Sequence, residues 1–213
     1  MITGKGGAPR LTQKGRQTRR RIVEGAAEEI REQGAASTTL DDIRARTATS
    51  KSQIFHYFPG GKEELLLAVA AREADRVLED QEPHLSNLRT WSAWKDWRDA
   101  VLRRYEQQGV NCPLGVLITE LGRTTPAARQ LTSQLIDGWQ AALREGVQGM
   151  QEAGEIDRGL DADRTAAALV AAVQGGVTIL MATGGIAHLE AALDTTLTLL
   201  RNGAGARQAT TGK

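Results

Sequence analysis

The sequence predicts an all-α protein of about nine helices, and three observations carry that prediction. Helix formers dominate, Ala above all, and runs of alternating β-branched residues are absent. Apolar residues recur at three- and four-residue spacing, most cleanly in Leu131, Leu135, Trp139, Leu143 and Val147. Capping residues and Gly or Pro breaks bracket each such stripe. At 213 residues and 40% hydrophobic, the chain can bury the core of one medium domain or of a small domain plus a larger one.

Residues 1–13, rich in Gly and basic side chains, read as a flexible arm. A first helix is expected from Lys14 to Gln33, with Ile22, Val23, Ala26, Ala27 and Ile30 inward and Gly34 as its stop. Thr39 caps a short second helix, and Asp41 and Asp42 suit the positive end of its dipole. Leu40 and Ile43 point to the core. Thr47-Ala48-Thr49 forms a turn, and Ser50 caps a third helix through a Ser50-x-x-Gln53 capping box. Ile54 and Phe58, one turn apart, should face inward. Pro59-Gly60-Gly61 breaks the chain, and Lys62 opens a fourth helix through Leu65, Leu66, Val69 and Val77 to near Pro83.

A fifth helix, about Leu88 to Gln107, carries Trp91, Trp94 and Trp97 and ends at Asn111-Cys112-Pro113. A short helix through Leu117, Ile118 and Leu121 follows. Thr125-Pro126 then caps the helix of the Leu131–Val147 stripe, which stops at Gly154. Asp161 caps a helix bearing Leu169, Val173, Val177 and Leu180, broken at Gly184-Gly185. A last helix carries Leu189, Leu193, Leu197 and Leu200. The expected division is an N-terminal bundle at 14–77, with its helix-turn-helix at 39–58, a larger bundle at 78–203 and a frayed tail at 204–213.

Net charge is +1, but its distribution is uneven. Residues 1–23 hold seven basic side chains and no acid, so the rest of the chain is net acidic. A basic end beside a helix-turn-helix is what a DNA-facing end would carry. One cysteine excludes an intrachain disulfide. The basic N-terminus lacks the apolar run of a signal peptide, and no segment reads as a membrane span, so a cytoplasmic protein is expected. Cys112, His84, His188 and the scattered carboxylates show no nucleophile–base spacing, metal cluster or phosphate loop. No enzyme, metal or cofactor is expected.

The stretch Ser50–Val69, SKSQIFHYFPGGKEELLLAV, closely resembles the recognition helix and following helix of TetR-type transcriptional regulators. The resemblance extends over about Lys14–Val77. Asn111-Cys112-Pro113-Leu114-Gly115, Glu120-Leu121, Pro126, Trp139 and Gln174-Gly175-Gly176 resemble the C-terminal domain of the LmrA/YxaF-like branch. One departure stands in the turn, where the family usually has Ala-Gly-Val and this chain has Ala48 at the glycine position. The resemblance implies a homodimer with one reader per subunit and a C-terminal ligand pocket. It also implies a repressor that leaves its operator when a small molecule binds. The alternative is a constitutive DNA-binding dimer controlled by a protein partner. A closed, dry C-terminal core favours the alternative; a cavity with a few polar groups favours the ligand.

For DNA contact the candidates are Thr39, Thr49, Ser50, Lys51, Ser52, Gln53, Phe55, His56, Tyr57 and Lys62. Lys51 suits guanine O6/N7 or a phosphate, and Gln53 either reads adenine or serves only as a cap. Thr39, Thr49, Ser50 and Lys62 lie at helix N-termini that favour phosphate. Phe55 meets a thymine methyl or packs inward. His56 and Tyr57 match positions that touch backbone or bases in the family. Arg16, Arg19 and Arg20 are further phosphate candidates. For an apolar or aromatic ligand the candidates are Trp91, Trp94, Leu117, Glu120, Trp139 and Gln174, with ordinary core packing as the competing role for each tryptophan. Small residues in the last two helices suit a two-fold dimer interface. A lone Cys112 is more often inert than a redox switch.

Overall fold

The computed structural model describes residues 11–110, 112 and 125–202. Among these, eight α-helices and one 3₁₀ turn form, and no strand does. They are α1 (Gln13–Gln33), α2 (Leu40–Thr47), α3 (Lys51–Tyr57), α4 (Gly61–Glu79), the turn Leu85–Asn87, α5 (Trp91–Gln108), α6 (Pro126–Glu152), α7 (Ala162–Thr183) and α8 (Ala187–Asn202). The short helix expected through Leu117 lies outside the described residues, as do residues 1–10 and 203–213.

The helix ends follow the expected chemistry. The hydroxyls of Thr12, Thr39, Ser50, Thr90 and Thr125 each accept a backbone N–H of the first turn they precede. Asp161 does the same for α7, accepting from both Asp163 and Arg164. α6 starts with Pro126 at its first position, where no N–H is needed.

Two hydrophobic cores result. Ile22, Val23, Ala26 and Ile30 of α1 close with Ile43, Ile54, Phe58, Leu65 and Val69 to form the smaller one. Trp94, Trp97, Val101 and Tyr105 of α5 close with Leu135, Trp139, Leu143 and Val147 of α6 and the inner faces of α7 and α8 to form the larger. α4 belongs to both. Leu65, Leu66, Val69 and Ala70 sit in the first core, while Ala74 and Val77 sit in the second.

α7 corrects one expectation. Over an 18-residue window its mean hydropathy is 1.8, so by length and composition it reaches a membrane span. Its many Ala and Val residues raise the hydropathy. Packing explains part of that composition, because Leu169, Val173, Val177 and Leu180 are buried against α6 and α8. The approach of α8 is set by Gly176, where an added Cβ would lie 2.5 Å from the Leu189 Cα. Backbone cannot move aside as a side-chain tip can. Gly176→Ala should therefore force α7 and α8 apart and destabilise the chain by about 1–3 kcal/mol, read as a lowered urea midpoint.

Candidate nucleic-acid interface

The helix-turn-helix is built by caps at both helices. Thr39 Oγ1 accepts the Asp42 N–H at 3.2 Å, and Asp42 Oδ2 accepts the Thr39 N–H at 2.9 Å. The Thr39 hydroxyl, foremost, and the Thr39 backbone hold the Asp42 carboxyl below its ordinary range. Ser50 and Gln53 repeat the arrangement at α3, with Ser50 Oγ accepting at 3.2 Å and Gln53 Oε1 accepting at 3.0 Å. Between them Ala48 takes φ 46° and ψ 47°, the left-handed conformation that the sequence departure foreshadowed. Ala48 is the one non-glycine with positive φ among the described residues. The turn is fastened by hydroxyls. Thr47 Oγ1 donates to the Ile43 carbonyl at 2.6 Å, and Thr49 N donates to the Arg44 carbonyl at 3.1 Å.

An ion-pair clamp holds α2 against α1. Arg46 pairs with Glu29 and Glu32, and with Glu28 at 3.7 Å. The hydrogen bonds that Arg46 donates to Glu29, then to Glu32, raise its pKa, so it stays cationic. Gly25 permits this approach, because a Cβ there would lie 2.3 Å from Thr47 Cγ2.

On this frame Ile54 and Phe58 are buried, as expected, and the opposite face of α3 is presented to solvent. Lys51, Ser52 and Gln53 of its first turn are exposed, with His56 and Phe55 beyond them. Phe55 is 42% exposed. Tyr57 is half-buried against the small core, with His56 edge-on to it at 4.9 Å. Thr39 and Ser50 are exposed, and Lys62 is half-buried in the first turn of α4. Two candidates sit differently from expectation. Thr49 is buried, and its hydroxyl is spent on the Thr47 carbonyl and hydroxyl inside the turn. Gln53 has its carbonyl oxygen engaged as a cap, so a two-point contact to adenine requires breaking that cap.

Further cations flank the reader. Arg44 of α2 shares a groove of about 220 Å³ with Lys51 and Phe55, and sequence reasoning did not single it out. Arg16, Arg19 and Arg20 line a second groove with Arg72 between α1 and α4. Arg19 stacks 4.9 Å above the Phe58 ring, which fixes its stem.

The C-terminal candidates divide. Trp94 and Trp139 are buried in one core, whereas Trp91 is half-buried, bonded to Glu155 at 3.2 Å and covered by Arg201 at 5.5 Å. Trp91 thus packs against the edge of that core and, with Trp94, lines a groove between α5 and α8. Across that groove Arg98 holds Asp194 through two 2.8 Å bonds and Glu190 through one of 2.9 Å. Gln174 is half-buried on α7. Leu117 and Glu120 lie outside the described residues. Reasoning from sequence missed Glu73 and Arg104, both buried charges. Their signal was present, since each interrupts an apolar stripe: Val69–Glu73–Val77 and Val101–Arg104–Tyr105.

Known proteins share both halves of this arrangement. Residues 22–69 match the family model of bacterial regulatory proteins of the tetR family, and residues 88–196 match that of the tetracyclin repressor-like C-terminal domain. A TetR transcriptional regulator from Chloroflexus aurantiacus is 30% identical with a TM-score of 0.72, over 88% of this chain and 96% of that one. A TetR-family regulator from Cytophaga hutchinsonii shares the fold at a TM-score of 0.75 and 22% identity, over 91% of this chain and 98% of that one. An uncharacterized HTH-type transcriptional regulator in the lacX 3' region of Lactococcus lactis is 26% identical over 188 residues, covering 84% of this chain and 91% of that protein.

The turn carries its own prediction. Ala48→Gly should relieve left-handed strain at some entropic cost, for a net gain of about 0.5–1 kcal/mol in unfolding free energy. Thermal unfolding of the two proteins side by side checks the sign.

Proposed function

The chain belongs to the TetR family of DNA-binding bacterial transcriptional regulators, and from that premise we propose that it is a repressor released from an inverted-repeat operator by a small apolar or aromatic ligand. The observation that carries the DNA half is the first turn of α3. Lys51, Ser52 and Gln53 are exposed there, while Ile54 and Phe58 anchor the helix from behind. Side chains on the first turn of a recognition helix reach base edges in the major groove. Lys51 reads guanine; Ser52 and His56 add groove contacts; Tyr57, Thr39, Ser50, Lys62 and Arg44 hold phosphates. Phe55, exposed beside Lys51, meets a thymine methyl. Gln53 serves first as the α3 cap.

Family members bind DNA as dimers. We place this chain's two-fold axis on α7 and α8. The stripe Ala167, Ala168, Ala171, Gly175 and Ile179 of α7 is exposed, and so is Leu199 of α8, at 67%. Small residues in register let two copies approach closely as a four-helix interface. The two readers then lie about 34–36 Å apart or further, matched to inverted half-sites. The ligand half is supported by the larger core, which holds buried polar atoms without partners in Trp94, Trp139 and Arg104. Unsatisfied groups of that kind favour a ligand over a purely structural bundle. The Asn111–Gly115 pattern supports the LmrA/YxaF-like branch for this half, and the cytoplasm is where such a regulator meets its operator.

Binding to DNA flanking the chain's own gene, against a scrambled duplex at several salt concentrations, tests the reading. A preference of about 10³-fold or more with a protected inverted repeat is expected. Equal, steeply salt-dependent binding to both duplexes contradicts it. Lys51→Ala should lose about 1–3 kcal/mol on the operator and relax specificity. Lys62→Ala should weaken all sequences alike and lower the salt slope by about one unit. Identical behaviour of the two variants across sequences overturns the base-reading role of Lys51.

A further inference from the structure

Asp41 and Asp42 stand side by side in the first turn of α2, yet their carboxylates do different things. Asp42 turns back onto its own helix end, where Oδ2 accepts the Thr39 N–H at 2.9 Å and the Thr39 hydroxyl at 2.6 Å. Asp41 takes no part in that cap. Its side chain is 82% exposed, and its Oδ1 accepts from Nη1 of Arg44, three residues along the same face. Asp41 and Arg44 line one groove of about 220 Å³ with Lys51 and Phe55 of α3. An acid therefore shares a small groove with Lys51, the side chain assigned above to base contact.

A carboxylate in that position is repelled by phosphates, so it needs a neighbouring cation and a donor on the DNA. The cations are present. Arg44 pairs with Asp41, Lys51 lies in the same groove, and Lys62 acts on the neighbouring Asp42, whose carboxyl Thr39 holds down first. Arg44 is also fixed in place. Its Nε is buried without an acceptor among the described residues, and its Nη1 serves Asp41, which leaves Nη2 for a phosphate. The donor on the DNA follows from base chemistry. In the major groove guanine presents only acceptors, thymine an acceptor and a methyl, adenine a donor beside an acceptor, and cytosine the N4 amino donor. An ionised aspartate can only accept. It therefore selects cytosine and rejects guanine and thymine, where acceptor would face acceptor. Lys51 has the opposite preference, for O6 and N7 of guanine. A donor and an acceptor in one groove match the two halves of a G·C pair, or a guanine and a cytosine in neighbouring pairs.

We propose that Asp41 is a specificity-determining residue of the reader. Its second carboxylate oxygen accepts the N4 amino group of a cytosine in or beside the base pair that Lys51 reads, and Arg44 positions it. This rests on the base-reading role of Lys51 given above and adds α2 to base recognition. Asp41 weakens attraction to every other sequence, so it sharpens discrimination more than it raises affinity.

The test selects duplexes from a pool with a randomised centre, using the full chain and its Asp41→Ala, Asp41→Asn, Arg44→Ala and Lys51→Ala variants. Binding of each protein to the selected duplex and to a scrambled one follows. The unaltered chain should favour cytosine about tenfold at one position of each half-site. That position should lie in or beside the pair where Lys51→Ala removes a preference for guanine. Asp41→Ala should lose the cytosine preference alone and bind the scrambled duplex more tightly, because a repulsive charge is gone. A residue that only supports α2 would weaken every sequence alike. Asp41→Asn keeps the shape of the side chain, and its amide both donates and accepts, so the preference should move toward adenine. Arg44→Ala should blunt the cytosine preference and leave that for guanine. Base preferences unchanged in both Asp41 variants, or equal weakening of every sequence, overturn the proposal. The two readings fail separately. A guanine preference lost in Lys51→Ala, while both Asp41 variants select as the unaltered chain does, keeps the α3 reading and removes the role of Asp41. An unaltered chain that selects no sequence removes both.

Discussion

Glu73 has no exposed surface, and it sits where one core ends and the other begins. Residues before it on α4 pack with α1 and α3, and residues after it pack with α5 and α6. A carboxylate held there must be paired, since an isolated buried charge costs far more than any single contact returns. It is paired to Arg31 of α1 at 3.3 Å and, within α4, to Arg76 at 3.2 Å. The Arg76 carbonyl in turn accepts from Arg104 of α5. The DNA-reading bundle and the larger bundle therefore meet in one polar chain along α4.

The reader itself is rigid for reasons that are separate from its chemistry toward DNA. α3 is only seven residues long, too short to persist alone. Its stability comes from the Ser50–Gln53 cap, the buried Ile54 and Phe58, and a turn fastened by Thr47 and Thr49. The Arg46 clamp onto α1 fixes α2 and hence the turn. Residues that fasten this frame point inward or along the backbone. What remains outward on the first turn of α3 is Lys51, Ser52 and the remainder of Gln53. Preorganisation of this sort lets binding energy go into contacts, not ordering.

Much of this was legible in the chain, because caps, breaks and apolar stripes are local signals. Thr39, Ser50, Thr125 and Asp161 cap the helices that the sequence assigns to them. Ile54 and Phe58 face inward, and the left-handed turn follows from Ala48 standing where glycine is usual. What was not legible depends on partners distant in sequence or on competition for one atom. Thr49 is drawn into the turn by Thr47, and Gln53 divides its amide between cap and groove. Trp91 stays half-buried at the edge of the larger core, its indole N–H donated to Glu155, far along the chain. Glu73 and Arg104 break apolar stripes by type, yet only the approach of α1 and of the segment after α4 gives them partners. α7 reads as a possible membrane span on composition, and only its packing between α6 and α8 assigns its inner face to a core.

Amide hydrogen exchange of the full chain, free and bound to its operator duplex, tests most directly whether α4 joins the two bundles into one responsive unit. Slowed exchange is expected at 39–62, continuing along α4 past Glu73 to Arg76 and into α5. Slowed exchange that stops within the N-terminal bundle, with 73–105 unchanged, would contradict it.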